Sequence, residues 1–209
     1  QPKWTIIQPV VDDISTGGQK YLTNSDGSYL AQGYKPTKHT VKMEITVPNT
    51  NITAFRLELL TDPELPLNGP GRSFKGTCAL TEFKVEASDP AAPTNKHTVK
   101  FASATADYEN AEAVLEPNFD DKSGKRRVTG PVKFAIDDDE LTAWGIDAGA
   151  GRRNQERKAV FVASTNVGYA TGTKLLFMLK QNHGGWNSDE HMNNNLGRFR
   201  LSITSDKDP

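Results

Sequence analysis

The chain has 209 residues, 35% of them apolar and 24% charged, with a formal net charge of -1. That length permits one large or two small domains, and the near-neutral charge argues against a general nucleic-acid binder, which needs a basic excess. No run reaches the length of a membrane-spanning helix, so no membrane insertion is expected, and the 12 Pro and 17 Gly favour turns over long helices.

Taken in order, the β-prone runs are short and close together. Trp4–Ile7 is a brief strand ended by Pro9, and residues 12–29 read as loops around a short strand at Tyr21–Thr23. Asp26-Gly27 is a hairpin turn signal, with Ser28–Ala31 as the returning strand. His39–Val47 alternates, with Val41, Met43, Ile45 and Val47 on one side and Lys42, Glu44 and Thr46 on the other. Ile52–Leu60 repeats the pattern after a Pro48-Asn49 turn, so the two are expected to form a hairpin or sheet pair. Residues 61–73 hold three Pro and two Gly and form a shaped loop. Ala79–Ala87 is a further strand, 88–96 a linker or long turn, and Thr98–Ala102 another strand. Residues 109–131, including Lys125-Arg126-Arg127, read as an exposed loop with one helical turn. Arg157–Ala163, Lys174–Lys180 and Gly197–Thr204 complete the series.

About ten strands without a convincing amphipathic helix predict an all-β fold, a jelly-roll β-sandwich of two antiparallel sheets. The stretch 88–96 could divide two domains, but small β domains without disulfides bury too little area. Cys78 stands alone, so no internal disulfide is available. We therefore expect a single domain over 1–209 whose halves, 1–90 and 97–206, share one core. No secretory leader is visible at Gln1, which fits a leader already removed or a segment excised from a larger protein.

The densest chemistry lies at Phe134–Asp147. Phe134 and Ile136 read as a strand leading into Asp137-Asp138-Asp139-Glu140, with Thr142 next, and Trp144 returns the chain to the interior. Such a run is either a solvated acidic turn or an oxygen-rich site for a hard cation such as Ca2+. The stretch Ala135-Ile-Asp-Asp-Asp-Glu-Leu-Thr-Ala-Trp144 resembles the first calcium loop of the galactose-binding-like (discoidin, or coagulation-factor C-type) β-sandwich family, Ala-x-Asp-Gly-Asp/Asn-x-x-Thr-x-Trp. Asp138 stands where that family has Gly, a residue that tolerates positive φ more readily. Ala79-Leu-Thr-Glu-Phe-Lys-Val85 is similar to the family's final strand, whose Glu closes the same site. In this chain that strand precedes the acidic loop, so the resemblance implies a circularly permuted order and a structural Ca2+ held by Asp137, Asp139, Thr142 and Glu82.

Longer stretches, Leu141–Phe161, Gly69-Pro-Gly-Arg72 and His183–His191 with Asn193–Ser202, resemble a domain of exported cytochrome-c-associated proteins of planctomycete-type bacteria. That resemblance implies a carbohydrate-binding-module-like domain of a larger exported protein, periplasmic or at the cell surface, with other domains of the parent as partners. The segment has no Cys-x-x-Cys-His and so binds no c-type haem itself.

A sugar needs a flat aromatic face together with planar donors and amides, and an Arg fork suits a uronate carboxylate. Residues 181–195 supply Trp186, His183, Asn187 and His191, while 149–157 supply Arg152, Arg153 and Asn154. Arg72 in Gly-Pro-Gly-Arg is a further candidate, or else pins its own loop through carbonyls. Trp186 has a bland alternative as a cap on the core, and Arg152 and Arg153 as a solvated pair or a counter-charge to Asp147. The expected function is a non-catalytic module that recognises a polysaccharide or oligosaccharide, with a lean toward acidic glycans, and targets an attached redox protein to it. The alternatives are a protein–protein assembly domain, on the ground that fold does not fix function, and a glycan-cleaving enzyme. The enzyme would need a carboxylate pair drawn from Asp189, Glu190 and Asp147.

Overall fold

A computed structural model of the chain describes residues 1–115, 125–184 and 192–209. The strands, in chain order, are β1 (Thr5–Ile7), β2 (Val10–Val11), β3 (Gln19–Thr23), β4 (Tyr29–Gly33), β5 (His39–Val47), β6 (Ile52–Leu60), β7 (Ala79–Leu80) and β8 (Glu82–Ser88). They continue as β9 (His97–Thr98), β10 (Phe101–Ala106), β11 (Ala113–Val114), β12 (Val128–Gly130), β13 (Thr142–Gly145), β14 (Arg157–Val167), β15 (Thr173–Gln181) and β16 (Arg198–Thr204). The helical segments among the described residues are short 3-10 turns at Asp13–Thr16, Pro66–Asn68 and Val132–Ile136.

The fold is an antiparallel β-sandwich. One sheet runs β10-β14-β6-β16-β4-β3 with β1 also on β16, and the other runs β2-β5-β15-β8-β9. A small sheet, β11-β12-β13-β7, adds a parallel pair between β12 and β13. Strands from residues 1–90 and 97–206 are interleaved in both large sheets and contribute to one apolar cluster.

The period-two pattern sets the inner faces. On β15, Leu175, Phe177 and Leu179 are buried while Lys174, Leu176, Met178 and Lys180 between them are half-buried. Their register partners are Ile45, Met43 and Val41 on β5 and Ala87, Val85 and Phe83 on β8, so one face of three strands is apolar. In the opposite sheet Phe55 of β6 lies between Phe161 of β14 and Ile203 of β16. The sheets meet through rings. Phe83 stacks on Phe161 at 4.1 Å and 4°, and Phe55 meets Phe177 edge-on at 5.8 Å.

Three sequence expectations are corrected. β5 and β6 do not pair; they lie in opposite sheets. Both inner faces are apolar, so a shared sheet would leave neither with an opposing layer. The four residues between them, at about 3.3 Å each, cover the roughly 10 Å between packed sheets. Phe134 and Ile136 belong to a 3-10 turn rather than a strand. Pro131, at φ -64, starts it, and Val132 and Ala135, three apart, are both buried. Arg127 is not on an exposed loop; it is buried and donates to the Asn182 carbonyl at 2.8 Å. The helical turn expected within 109–131 falls partly on 116–124, outside the described residues.

The inter-sheet stack yields a test. Phe83→Ala and Phe161→Ala should each cost about 3–5 kcal/mol in urea unfolding. The double variant should cost less than their sum by about 0.5–1.5 kcal/mol, the ring-pair contribution. Strict additivity would show that the two rings do not pack together.

Candidate functional site

The acidic loop lies across the outer face of the five-stranded sheet. Along β8 the core side is Phe83, Val85 and Ala87, so Glu82 and Lys84 point outward, and Lys180 stands opposite Glu82 on β15. Two ion pairs fasten the loop to this face, Lys84 to Asp138 and Lys180 to Glu140, both at 2.6 Å. Such exposed pairs contribute little each, but they place the loop over Glu82. That outward carboxylate is only 2% exposed. Asp138 has φ 60, the left-handed conformation that Gly adopts at little cost.

Among the candidate metal residues, Glu82 and Asp137 are brought together. Burial, then the neighbouring Asp137, pushes the Glu82 carboxyl up to about 8. Glu82 Oε1 is buried and accepts no hydrogen bond from a described residue. Asp137 and Asp139 are turned largely to their own loop. Asp137 accepts from the Asp139 amide at 3.0 Å and the Thr142 hydroxyl at 2.6 Å, and Asp139 accepts from the Leu141 amide at 2.9 Å. Among the described residues no three acidic, His or Cys side chains converge as a ligand set. The two side chains that do meet, Glu82 and Asp137, offer oxygen donors alone, one of them an orphaned buried carboxylate atom, and a hard cation there would need its remaining ligands from loop carbonyls or water. Oxygen donors of this kind suit a hard cation over a soft transition metal.

The candidate ligand residues divide. His183 is buried, its Nδ1 against the Thr81 hydroxyl and its Nε2 against the Val128 carbonyl, and burial holds its pKa down at about 4. Arg72 is buried as well. Its guanidinium donates to the Gly33 and Tyr34 carbonyls and to Gln19, so it serves the loop-pinning role. Asn154 donates to the Gly69 and Lys75 carbonyls, stapling the 149–157 loop to the 69–76 loop. Arg153 is paired with Asp147. Arg152 is exposed, and its guanidinium has no hydrogen bond or ion pair to a described residue. Trp186, Asn187 and His191, with Asp189 and Glu190, lie outside the described residues.

An open cleft of about 460 Å³ lies where the stapled loops meet β11 and β13. Gly145 forms part of its floor, and a Cβ there would fall 2.1 Å from the Asn110 side chain, so the missing side chain lets Asn110 lie in the wall. The amide of Asn110 is fixed by bonds to Ala111 and Thr129, and that of Asn194 by bonds to His183 and Met192. Phe74 lines the cleft at 50% exposure, with Lys75 over its ring at 5.5 Å. A smaller hollow shares Tyr108 and Ala148 with the cleft and adds Arg152, Gln155 and Arg157, the last 4.7 Å over the Tyr108 ring. Of the sugar-ligand candidates, Arg152 alone lines these hollows among the described residues. The sequence reading missed Phe74, Lys75 and Asn110. The available signal was an aromatic just beyond a Gly-Pro-Gly-Arg loop, outside any alternating strand.

Compared with protein-family models, curated proteins and solved structures, the chain finds no significant match.

Two stability experiments follow from the acidic loop. Asp138→Ala should be less stable than Asp138→Gly by about 1 kcal/mol, because both lose the Lys84 pair but only Ala bears the left-handed backbone cost; equal stability would contradict the φ of 60. The second concerns pH. Glu82, raised from 4.5, makes the native state hold a proton that the unfolded chain has released, so its stabilising contribution is lost as pH rises from 4.5 to about 8. His39 and His183, buried and held at about 4 instead of 6.5, act oppositely, and their contribution is lost as pH falls from 6.5 to 4. Without divalent cation, stability should peak near pH 6.5 and decline toward pH 8 by at most about 1.4 kcal/mol per unit. Glu82→Gln should remove that decline, and a decline of the same slope in Glu82→Gln would show that another group causes it.

Proposed function

We propose that this chain is a non-catalytic carbohydrate-binding module of galactose-binding-like type, exported as part of a larger protein, that tethers an attached redox machinery to a polysaccharide. One observation carries the reading. The cleft joins a half-exposed aromatic ring, Phe74, to a wall of fixed amides and hydroxyls, Asn110, Thr129, Thr77 and Asn194. A pyranose offers one apolar face and a rim of hydroxyls, and a rigid aromatic beside pre-set polar groups suits both. Arg152, exposed in the adjoining hollow, suits a uronate carboxylate. Asp147 is the single carboxylate among the described cleft residues, and it is already engaged by Arg153 and the Gly149 amide. Glycoside hydrolysis uses a pair of carboxylates, so the lining favours binding over catalysis.

In this reading Ca2+ is structural. Glu82 and Asp137 would hold it, with Thr142 and Asp139 supplying hydroxyl or carbonyl oxygens. Support comes from the orphaned Glu82 oxygen and from Asp138 adopting the conformation of the family's Gly. The ion would lift the electrostatic cost of the Glu82–Asp137 pair and hold the loop that leads into β13. At 100 times its Kd, Ca2+ should stabilise the chain by about 2.7 kcal/mol and flatten the decline in stability toward pH 8. Unchanged Tm in millimolar Ca2+ against chelator would remove calcium from the account.

The assembly reading draws on one feature, the exposure of Val10 and Ile14, at 76% and 95%. Titration calorimetry against neutral and uronate-containing polysaccharides separates the two. The module should bind at least one of them. Phe74→Ala should weaken that binding about tenfold or more, the loss of about 1.4 kcal/mol of ring contact, and Arg152→Ala should weaken only uronate ligands. Absence of binding to every glycan, with self-association abolished by Ile14→Ser, would favour assembly instead.

A further inference from the structure

The cleft is more apolar than a plain sugar requires. Beyond Phe74, its wall carries Val114, Leu115, Ile146 and Met192 together with three alanines. Val114 is 51% exposed although it sits on a strand, β11, whose partner β12 leaves its side chain toward the cleft instead of toward a core. A galactose-type pyranose, with its axial hydroxyl, has one broad apolar face, which Phe74 alone can cover. Its opposite rim is hydroxyl, and hydroxyls set against Val114, Leu115 and Ile146 would lose hydration without gaining partners.

Resting on the carbohydrate reading, we propose that the cleft selects a sugar bearing an acetyl group, with the ring against Phe74 and the acetyl methyl against Val114, Leu115 and Ile146. An acetyl combines a methyl, which buries on the aliphatic wall, with a carbonyl that can accept from the Lys75 ammonium at the fringe of the cleft. N-acetyl and O-acetyl groups share this chemistry. A methyl in an apolar pocket discriminates by about 1–3 kcal/mol, or 10- to 200-fold.

The test is titration of the chain with matched pairs: N-acetylglucosamine against glucosamine and glucose, O-acetylated against de-acetylated xylan, and 6-deoxygalactose against galactose. Acetylated members should bind at least about tenfold more tightly than their parents; which pair shows the gap tells N-acetyl from O-acetyl. Val114→Asn, a change at an exposed position, should shrink the gap several-fold, with the larger loss on the acetylated member, and far-ultraviolet circular dichroism and Tm of the variant check the fold. Equal binding of acetylated and parent sugars, with both lost in Phe74→Ala, overturns the acetyl inference and keeps the carbohydrate reading. A gap only in the deoxy pair also overturns it, since it assigns the wall to a ring methyl. No binding to any member of the series overturns both.

Discussion

The stack of Phe83 on Phe161 is the contact on which the rest of the molecule depends. It joins β8 of one sheet to β14 of the other, and the two strands lead to the acidic loop and to the cleft. The residue before Phe83 is Glu82, so the ring that enters the core places the neighbouring carboxylate on the outer face, under the acidic loop. The start of β14 follows the 149–157 loop, whose Asn154 staples it to the 69–76 loop and so frames the cleft. Separating the sheets would release both regions at once.

β13 links the two in a second way. It begins at Thr142, which donates to Asp137, and ends at Gly145 in the floor of the cleft, with Ile146–Gly149 lining the wall beyond. Trp144 between them is buried, its indole donating to the Tyr108 carbonyl at 3.0 Å. A short strand with a fixed Trp at its middle transmits little slack. The acidic loop thus bears on the cleft as a support that keeps one end of its floor in place, and a cation there would act through position alone.

The sequence made the strands of the core legible, and their alternation is why. His39–Val47 and Ile52–Leu60 match β5 and β6 residue for residue, because each has one apolar face to bury. Pairing was not legible. Alternation reports which side of a strand is buried but not which strand lies beside it, so two consecutive apolar strands look the same as a hairpin or as an arch between sheets. Short pieces such as β11 and β12 carry no periodicity and were absorbed into a loop. The Phe134–Ile136 turn was misread because its apolar spacing was too short to separate a strand from a 3-10 turn. At the site, Glu82 and Asp137 were named together from a motif resemblance, and the fold sets them side by side. Arg72, His183 and Asn154 share the vocabulary of sugar recognition but are occupied by main-chain and hydroxyl partners. Residue type alone does not separate a group that binds ligand from one that satisfies a buried loop.

The central claim is that recognition takes place in the cleft between the 69–77 loop, β11 and the 145–149 turn. Heteronuclear NMR of the labelled chain, titrated with whichever glycan binds, tests it most directly. The account predicts that shift changes concentrate at Phe74, Lys75, Asn110, Val114 and residues 145–149, with the outer sheet face around Trp4 and Arg56 unmoved. Changes centred on Trp4, Arg56 and Arg200, with the cleft silent, would contradict it.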